Sequence, residues 1–125
     1  MSTPERFRSL ASAVERVSRE WFAGILHPRA TWTRGCRLKR KPKGIVCAHY
    51  DANENRIHVH PVFSSPEVPR WVLDWLIFHE MLHMVWGAPH STELIAAESR
   101  NHRTKAAEKW LSSNLFRLAW KRGRA

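Results

Sequence analysis

The sequence predicts an α+β domain, and three observations predict it. A run with no Gly or Pro, Trp71 to Trp86, is apolar almost all round and reads as a buried helix. Two β-prone runs, 44–50 and 56–62, flank an Asp-Ala-Asn-Glu-Asn turn and together suggest a hairpin. Helical periodicity comes before this hairpin, and a helix-start signal follows the apolar run. At 125 residues the chain forms one domain, large enough to bury a core without disulfides.

The elements follow in order. From Pro4 to about Phe22, the residues Phe7, Leu10, Val14, Val17, Trp21 and Phe22 recur at helical spacing, and Gly24 ends the helix. Ala30–Arg34 is a short strand. Gly44–Tyr50 and Arg56–Val62 are the hairpin strands, giving a small sheet of about three strands. Ser64–Pro69 links into the apolar helix. Gly87 stands where an αL cap would, and Pro89 stops continuation. Ser91 caps a further helix from Thr92 to about Leu111. The domain is expected over 1–112, with 113–125 as a basic C-terminal tail.

Charge and cysteines bound the function classes. The formal net charge is +10. Arg34, Arg37, Lys39, Arg40, Lys41 and Lys43 place six cations in ten residues, and Arg117, Lys121, Arg122 and Arg124 form a second cluster. Such patches favour a polyanion, most often nucleic acid. Trp32 lies beside the first patch and is a candidate for stacking on a base. Cys36 and Cys47 are eleven apart and match no C-x-x-C pattern, which points to reduced thiols in a cytoplasmic protein. The apolar run is too short for a bilayer and the N-terminus lacks an apolar signal-type stretch, so no membrane association is expected.

Within the apolar helix, residues 79–83 read His79-Glu80-Met81-Leu82-His83. Positions i and i+4 share a helix face, so His79 and His83 present two imidazoles to one point. Glu80 lies round the cylinder, where it can reach a water on a metal held by the pair. H-E-x-x-H is the spacing of zinc hydrolases, with two ligands and a carboxylate base. Burying two His and a Glu without a metal leaves polar groups unmet, at a cost of several kcal/mol.

A catalytic zinc usually takes three protein ligands and keeps one open position. His90, Glu93, Glu98 and His102 are the downstream candidates. His90 is favoured, because the chain can reverse at Gly87 and fold it back over the pair. His102 lies twelve residues further, about 18 Å along a continuous helix, and shares a face with Ile95, Ser99, Ala106 and Trp110 as a packing residue would. His58 and His60 alternate with Ile57 and Val59 and read as a solvent- or substrate-facing pair. His49 and Tyr50 are candidate transition-state donors.

The chain also resembles a known family. His90-Ser91-Thr92-Glu93-Leu94 is similar to the His-[Ser/Gly/Thr]-x-x-[Phe/Leu] segment of SprT-like and YgjP-like zincin metallopeptidases, in which that histidine is the third zinc ligand. Arg19-Glu20-Trp21-Phe22-Ala23-Gly24 resembles the family's helix ending in an aromatic pair and Gly. Tyr50-Asp51 with Asn55-Arg56-Ile57 resembles its hairpin, and Val68-Pro69 precedes the motif helix as it does there. The likeness covers about residues 5–112. Leu94 stands where an aromatic residue is usual, and no zinc-ribbon cysteines follow. The resemblance implies a minimal zincin-like domain, Zn²⁺ on His79, His83 and His90, and Glu80 as general base in peptide hydrolysis. With the basic patches it implies protein substrates bound or crosslinked to DNA. Two other classes compete with this expectation: a nucleic-acid-binding module with a structural zinc site, and a zinc hydrolase of a non-peptide substrate.

Overall fold

Ser9 opens the first helix, α1 (Leu10–Trp21), by accepting a hydrogen bond from the Ser12 amide at 3.1 Å. The protein is seen here as a computed structural model, which describes residues 8–33, 39–41, 44–46 and 48–124. Leu10, Ala13, Val14 and Val17 form the buried stripe of α1. That stripe packs on the apolar helix α2 (Arg70–Trp86). At the rim of the contact, the Arg16 guanidinium donates two hydrogen bonds to Asp74, at 3.1 and 2.9 Å.

The strands are β1 (Arg29–Trp32), β2 (Lys39–Lys41), β3 (Gly44–Val46), β4 (Ala48–Asp51) and β5 (Arg56–Val59). A three-stranded mixed sheet has the order β1-β5-β4, with β5 parallel to β1 and antiparallel to β4. β2 and β3 form a separate antiparallel pair. Ile57 and Val59 are fully buried, so one face of β5 meets the helices while His58 on the other stays partly exposed. Phe63, Val68, Leu73, Ile77, Met81 and Leu94 complete the core. Two further helices follow, α3 (Thr92–Ser99) and α4 (Thr104–Arg124), making four α-helices among the described residues. The fold is thus α+β with a small sheet. Among the described residues, no helix is long and apolar enough to cross a membrane.

Several expected boundaries shift. The strand read over 44–50 divides between β3 and β4, which belong to different sheets. The strand read over 56–62 ends at Val59, because Pro61 has no amide for the ladder and starts a 3-10 turn, Pro61–Ser64. The helix read from Thr92 to Leu111 breaks between Ser99 and Thr104. There the buried Asn101 accepts the Arg103 amide on Oδ1 at 2.8 Å, and the Thr104 hydroxyl donates to the Glu98 carbonyl at 2.7 Å. Both side chains compete with the helical ladder. Residues 113–124, read as a tail, continue α4. The expected helix start at Pro4, Cys36, Cys47, and Arg34, Arg37 and Lys43 of the basic run lie outside the described residues.

Candidate metal centre

Helix α2 carries His79, Glu80 and His83 on the side that faces β4, and the turn after it returns His90 to them. One nitrogen from each of the three histidines lies within 4.8 Å of the others. The His79 and His83 ring centroids are 4.9 Å apart at 84°, and the His90 centroid stands 5.5 Å from His79 and 4.9 Å from His83. A metal ion can be held at the centre of such a group.

Gly87 makes the return possible. Its φ of 87° and ψ of 179° belong to a region that residues with a Cβ essentially never occupy. This differs from the αL cap expected from the sequence, and the extended ψ has a consequence for the site. The Gly87 amide donates to the His83 carbonyl, while the Gly87 carbonyl accepts from His83 Nδ1, both at 2.9 Å. With Nδ1–H engaged, the Nε2 lone pair of His83 is left for a metal. Burial lowers the His83 pKa, and the nearby His79 and His90 charges lower it further against the pull of the Gly87 carbonyl. His83 is therefore neutral near pH 7, as a ligand must be.

His79 is held from behind by an acid. Its Nδ1 hydrogen-bonds to the Glu98 carboxylate. Burial pushes the His79 pKa down, but that bond and the charges of Glu80, Glu98 and Glu108 outweigh it, and the net shift is upward. The partners of Glu98 close a loop. Trp75 stacks on the His79 ring with centroids 5.4 Å apart and 24° between planes. Trp75 Nε1 donates to Thr104 Oγ1 at 3.0 Å, and Thr104 Oγ1 donates to the Glu98 carbonyl at 2.7 Å. Each link fixes the orientation of one imidazole, and the break between α3 and α4 supplies two of them.

Glu80 is only 5% exposed. Burial pushes its carboxyl up to about 7, against the His79 charge and a hydrogen bond from the Tyr50 backbone, which favour the ionised form. A carboxyl poised there exchanges a proton near neutrality, as a general base must. Glu80 and the three histidines border a cavity of about 350 Å³ shared with β4 and the turn after α2.

The other candidates separate clearly. His102 lies in the break between α3 and α4, exposed, with its ring 5.9 Å from that of Trp21, so it does not sit on the helix face expected for it. Glu93 is exposed in the first turn of α3. Glu98 reaches His79 from the outside rather than joining the three nitrogens. His60 leaves the strand and is buried, its Nδ1 accepting the Val62 amide at 3.0 Å, so it does not pair with His58. His58 stacks on His49 at 4.7 Å and bonds to Glu54 at 2.9 Å. His49 borders the cavity, whereas the Tyr50 hydroxyl donates to Asn55 Oδ1 at 2.6 Å in the hairpin turn. Trp32 packs against the core from the edge. A second group of ligating atoms, from Asp51, Glu54 and His58, also falls within 4.8 Å.

Sequence reasoning missed Trp75, Thr104 and the Tyr50 amide, and gave Glu98 a different role. The one signal for Glu98 was an acid on the helix just downstream of His90. Neither a scan of protein-family models nor a search of curated proteins finds a match to this chain. The likeness to SprT-like peptidases rests on its motif residues.

Proposed function

We propose that the protein is a zinc-dependent metallopeptidase of the zincin type, with His79, His83 and His90 as ligands and Glu80 as general base. The observation that carries this reading is a buried carboxyl beside three imidazoles whose nitrogens lie within 4.8 Å of one another, two of them with Nδ1 already engaged. The donor set suits zinc: three imidazole nitrogens, the count that catalytic sites use. Tetrahedral ligands at about 2.0–2.1 Å lie roughly 3.3 Å from one another. Closing to that from within 4.8 Å asks only for small side-chain rotations, and His90 is exposed and free of helical constraint.

When bound, zinc supplies a Lewis acid and makes water an effective nucleophile near neutral pH. Glu80 does the proton work. Its Oε takes a proton from the attacking water and passes it to the nitrogen of the leaving amine. β4 is an edge of the three-stranded sheet and borders the cavity, so an extended polypeptide could add to it as a further strand. A structural zinc site has no use for a buried base, which counts against a pure binding module.

The same reading makes the substrate a protein held on nucleic acid. The cations of 34–43 and 117–124 account for the whole net charge of +10, since the other 11 match 11 acids. Replacing Arg37, Lys39, Arg40 and Lys41 with Ser should flatten the salt dependence of oligonucleotide binding by about three to four units of log–log slope. An unchanged slope in fluorescence anisotropy would remove the nucleic-acid part. The peptidase part is tested with Glu80→Gln, which should keep zinc and fold yet lose cleavage of an unfolded protein substrate by several orders of magnitude. Normal cleavage by that variant would end the mechanism.

A further inference from the structure

We infer that a second cavity, between α1, α2 and the break that follows α3, holds one unpaired cytosine base of a single-stranded nucleic acid. The inference rests on the nucleic-acid part of the reading above and adds a base site to it. The space measures about 160 Å³ and shares no bordering residue with the cavity at the histidines. Three indoles border it, those of Trp21, Trp71 and Trp75. Trp75 is buried, whereas Trp21 and Trp71 are partly exposed. Unpaired bases stack on rings of this kind. A cavity of about 150 Å³ takes up benzene, so there is room here for one six-membered ring and too little for the two fused rings of a purine.

The polar groups on its border narrow the choice. Asn101 is only 5% exposed. Its Oδ1 accepts the Arg103 amide, while its Nδ2 has no partner among the described residues. A donor left unpaired on a side chain so far buried calls for an acceptor. Glu20 of α1 supplies the opposite need. Among the described residues no hydrogen bond or ion pair engages its carboxylate, whereas both Asp74 oxygens are held by Arg16. A simple cation would meet Arg103 here, and an anion would meet Glu20 and Asp74. The fitting ligand is therefore flat and uncharged, with both an acceptor and a donor on its edge. Cytosine has both: its carbonyl oxygen accepts, and its exocyclic amine donates to a carboxylate. Thymine carries a second carbonyl in place of that amine, which a carboxylate repels. The phosphates of the strand find cations close by. Arg100, Arg103 and Lys105 are exposed, and none forms an ion pair among the described residues. The Arg103 guanidinium stands 5.2 Å from the centre of the Trp71 ring, on the border of the same space.

The test separates base from phosphate. Fluorescence anisotropy on the full chain gives Kd for a labelled, fully abasic strand and for the same strand with one central cytosine, thymine or adenine. The cytosine strand should bind at least about fivefold tighter than the abasic one, the gain that one stacked base gives. The thymine and adenine strands should gain less than about twofold. Glu20→Ala, and Asn101→Asp, which keeps Oδ1 and removes Nδ2, should each cut the cytosine gain to about twofold or less. Each variant is compared with itself on two strands, so its change in net charge cancels. Glu20 is exposed, so its variant folds even where Asn101→Asp, at the helix break, does not. Cytidine monophosphate should displace the cytosine strand only at concentrations at least about a hundredfold above the strand's Kd, since it brings one phosphate. Displacement at concentrations near that Kd makes the site one for a free nucleotide and overturns the strand as its ligand. Abasic binding with no gain from cytosine, an equal gain from thymine, or a gain that survives both substitutions overturns the inference and leaves the nucleic-acid reading standing. No binding of any strand overturns both.

Discussion

His79, His83 and His90 bring three nitrogens within 4.8 Å, and Asp51, Glu54 and His58 bring ligating atoms within the same distance; the two groups differ in where their other bonds go. In the hairpin the bonds run inward. Asp51 Oδ1 accepts the Asn53 and Glu54 amides at 2.9 and 3.2 Å, and Glu54 accepts from His58 at 2.9 Å. The Arg56 guanidinium stands 3.9 Å from the same Glu54 oxygen, so positive charge is already supplied. On the helix the bonds run outward. His79 is tied to Glu98 and His83 to Gly87, each through Nδ1. Ligands anchored from outside keep their second nitrogen for a metal, whereas ligands that satisfy one another have little left to offer. Equal spacing thus hides opposite chemistry.

The largest effect that distinguishes the groups is on metal content. His79→Ala with His83→Ala should abolish zinc binding in a metal assay, while Asp51→Ala with His58→Ala should leave about one zinc per chain. Zinc retained by the first pair and lost by the second would reverse the comparison.

Next in size is a pH effect on the metal-free protein. Glu80 is raised from 4.5 to about 7, so the folded state holds a proton there that the unfolded state has lost. Stability must then fall as pH rises from about 4.5 to about 7. The shift corresponds to about 3 kcal/mol at 1.36 kcal/mol per unit. Glu80→Gln removes this penalty, so with chelator present it should be more stable than the native chain at pH 8 and closely matched at pH 4.5. Urea denaturation at the two pH values measures it, and an equal difference at both would contradict the assigned cause.

The anchor on His79 carries a smaller effect. Glu98→Ala should weaken zinc affinity by about 10–100-fold, the usual loss when an outer partner of a ligand is removed. Glu98→Gln, which keeps an acceptor oxygen, should recover part of it. Equal affinity in all three proteins, by competition with a chromophoric chelator, would make Glu98 irrelevant to the site.

The spacing of His79 and His83 was legible because a helix imposes it, and the hairpin was legible because its turn residues are explicit. His90 could be favoured from the Gly87–Pro89 reversal alone. The outer bonds were not legible, because they depend on where α3 stops. Nothing local in Ser99–Thr104 is as strong as a proline. The break is made by Asn101 and Thr104 turning their side chains to the backbone, with Trp75 of α2 fixing Thr104 from across the interface. A periodic pattern cannot report such a contact. The same break moves His102 off the helix face that sequence spacing assigned it.

One metal should sit among His79, His83 and His90, next to Glu80, and none in the hairpin. An anomalous difference map collected at the zinc edge from zinc-loaded crystals tests it most directly. A single strong peak is expected about 2.0–2.1 Å from one nitrogen of each of those three histidines, with a position left open toward the cavity. A peak at Asp51, Glu54 and His58, a site closed by a fourth protein ligand, or a shell that includes His102 in place of His90 would contradict it.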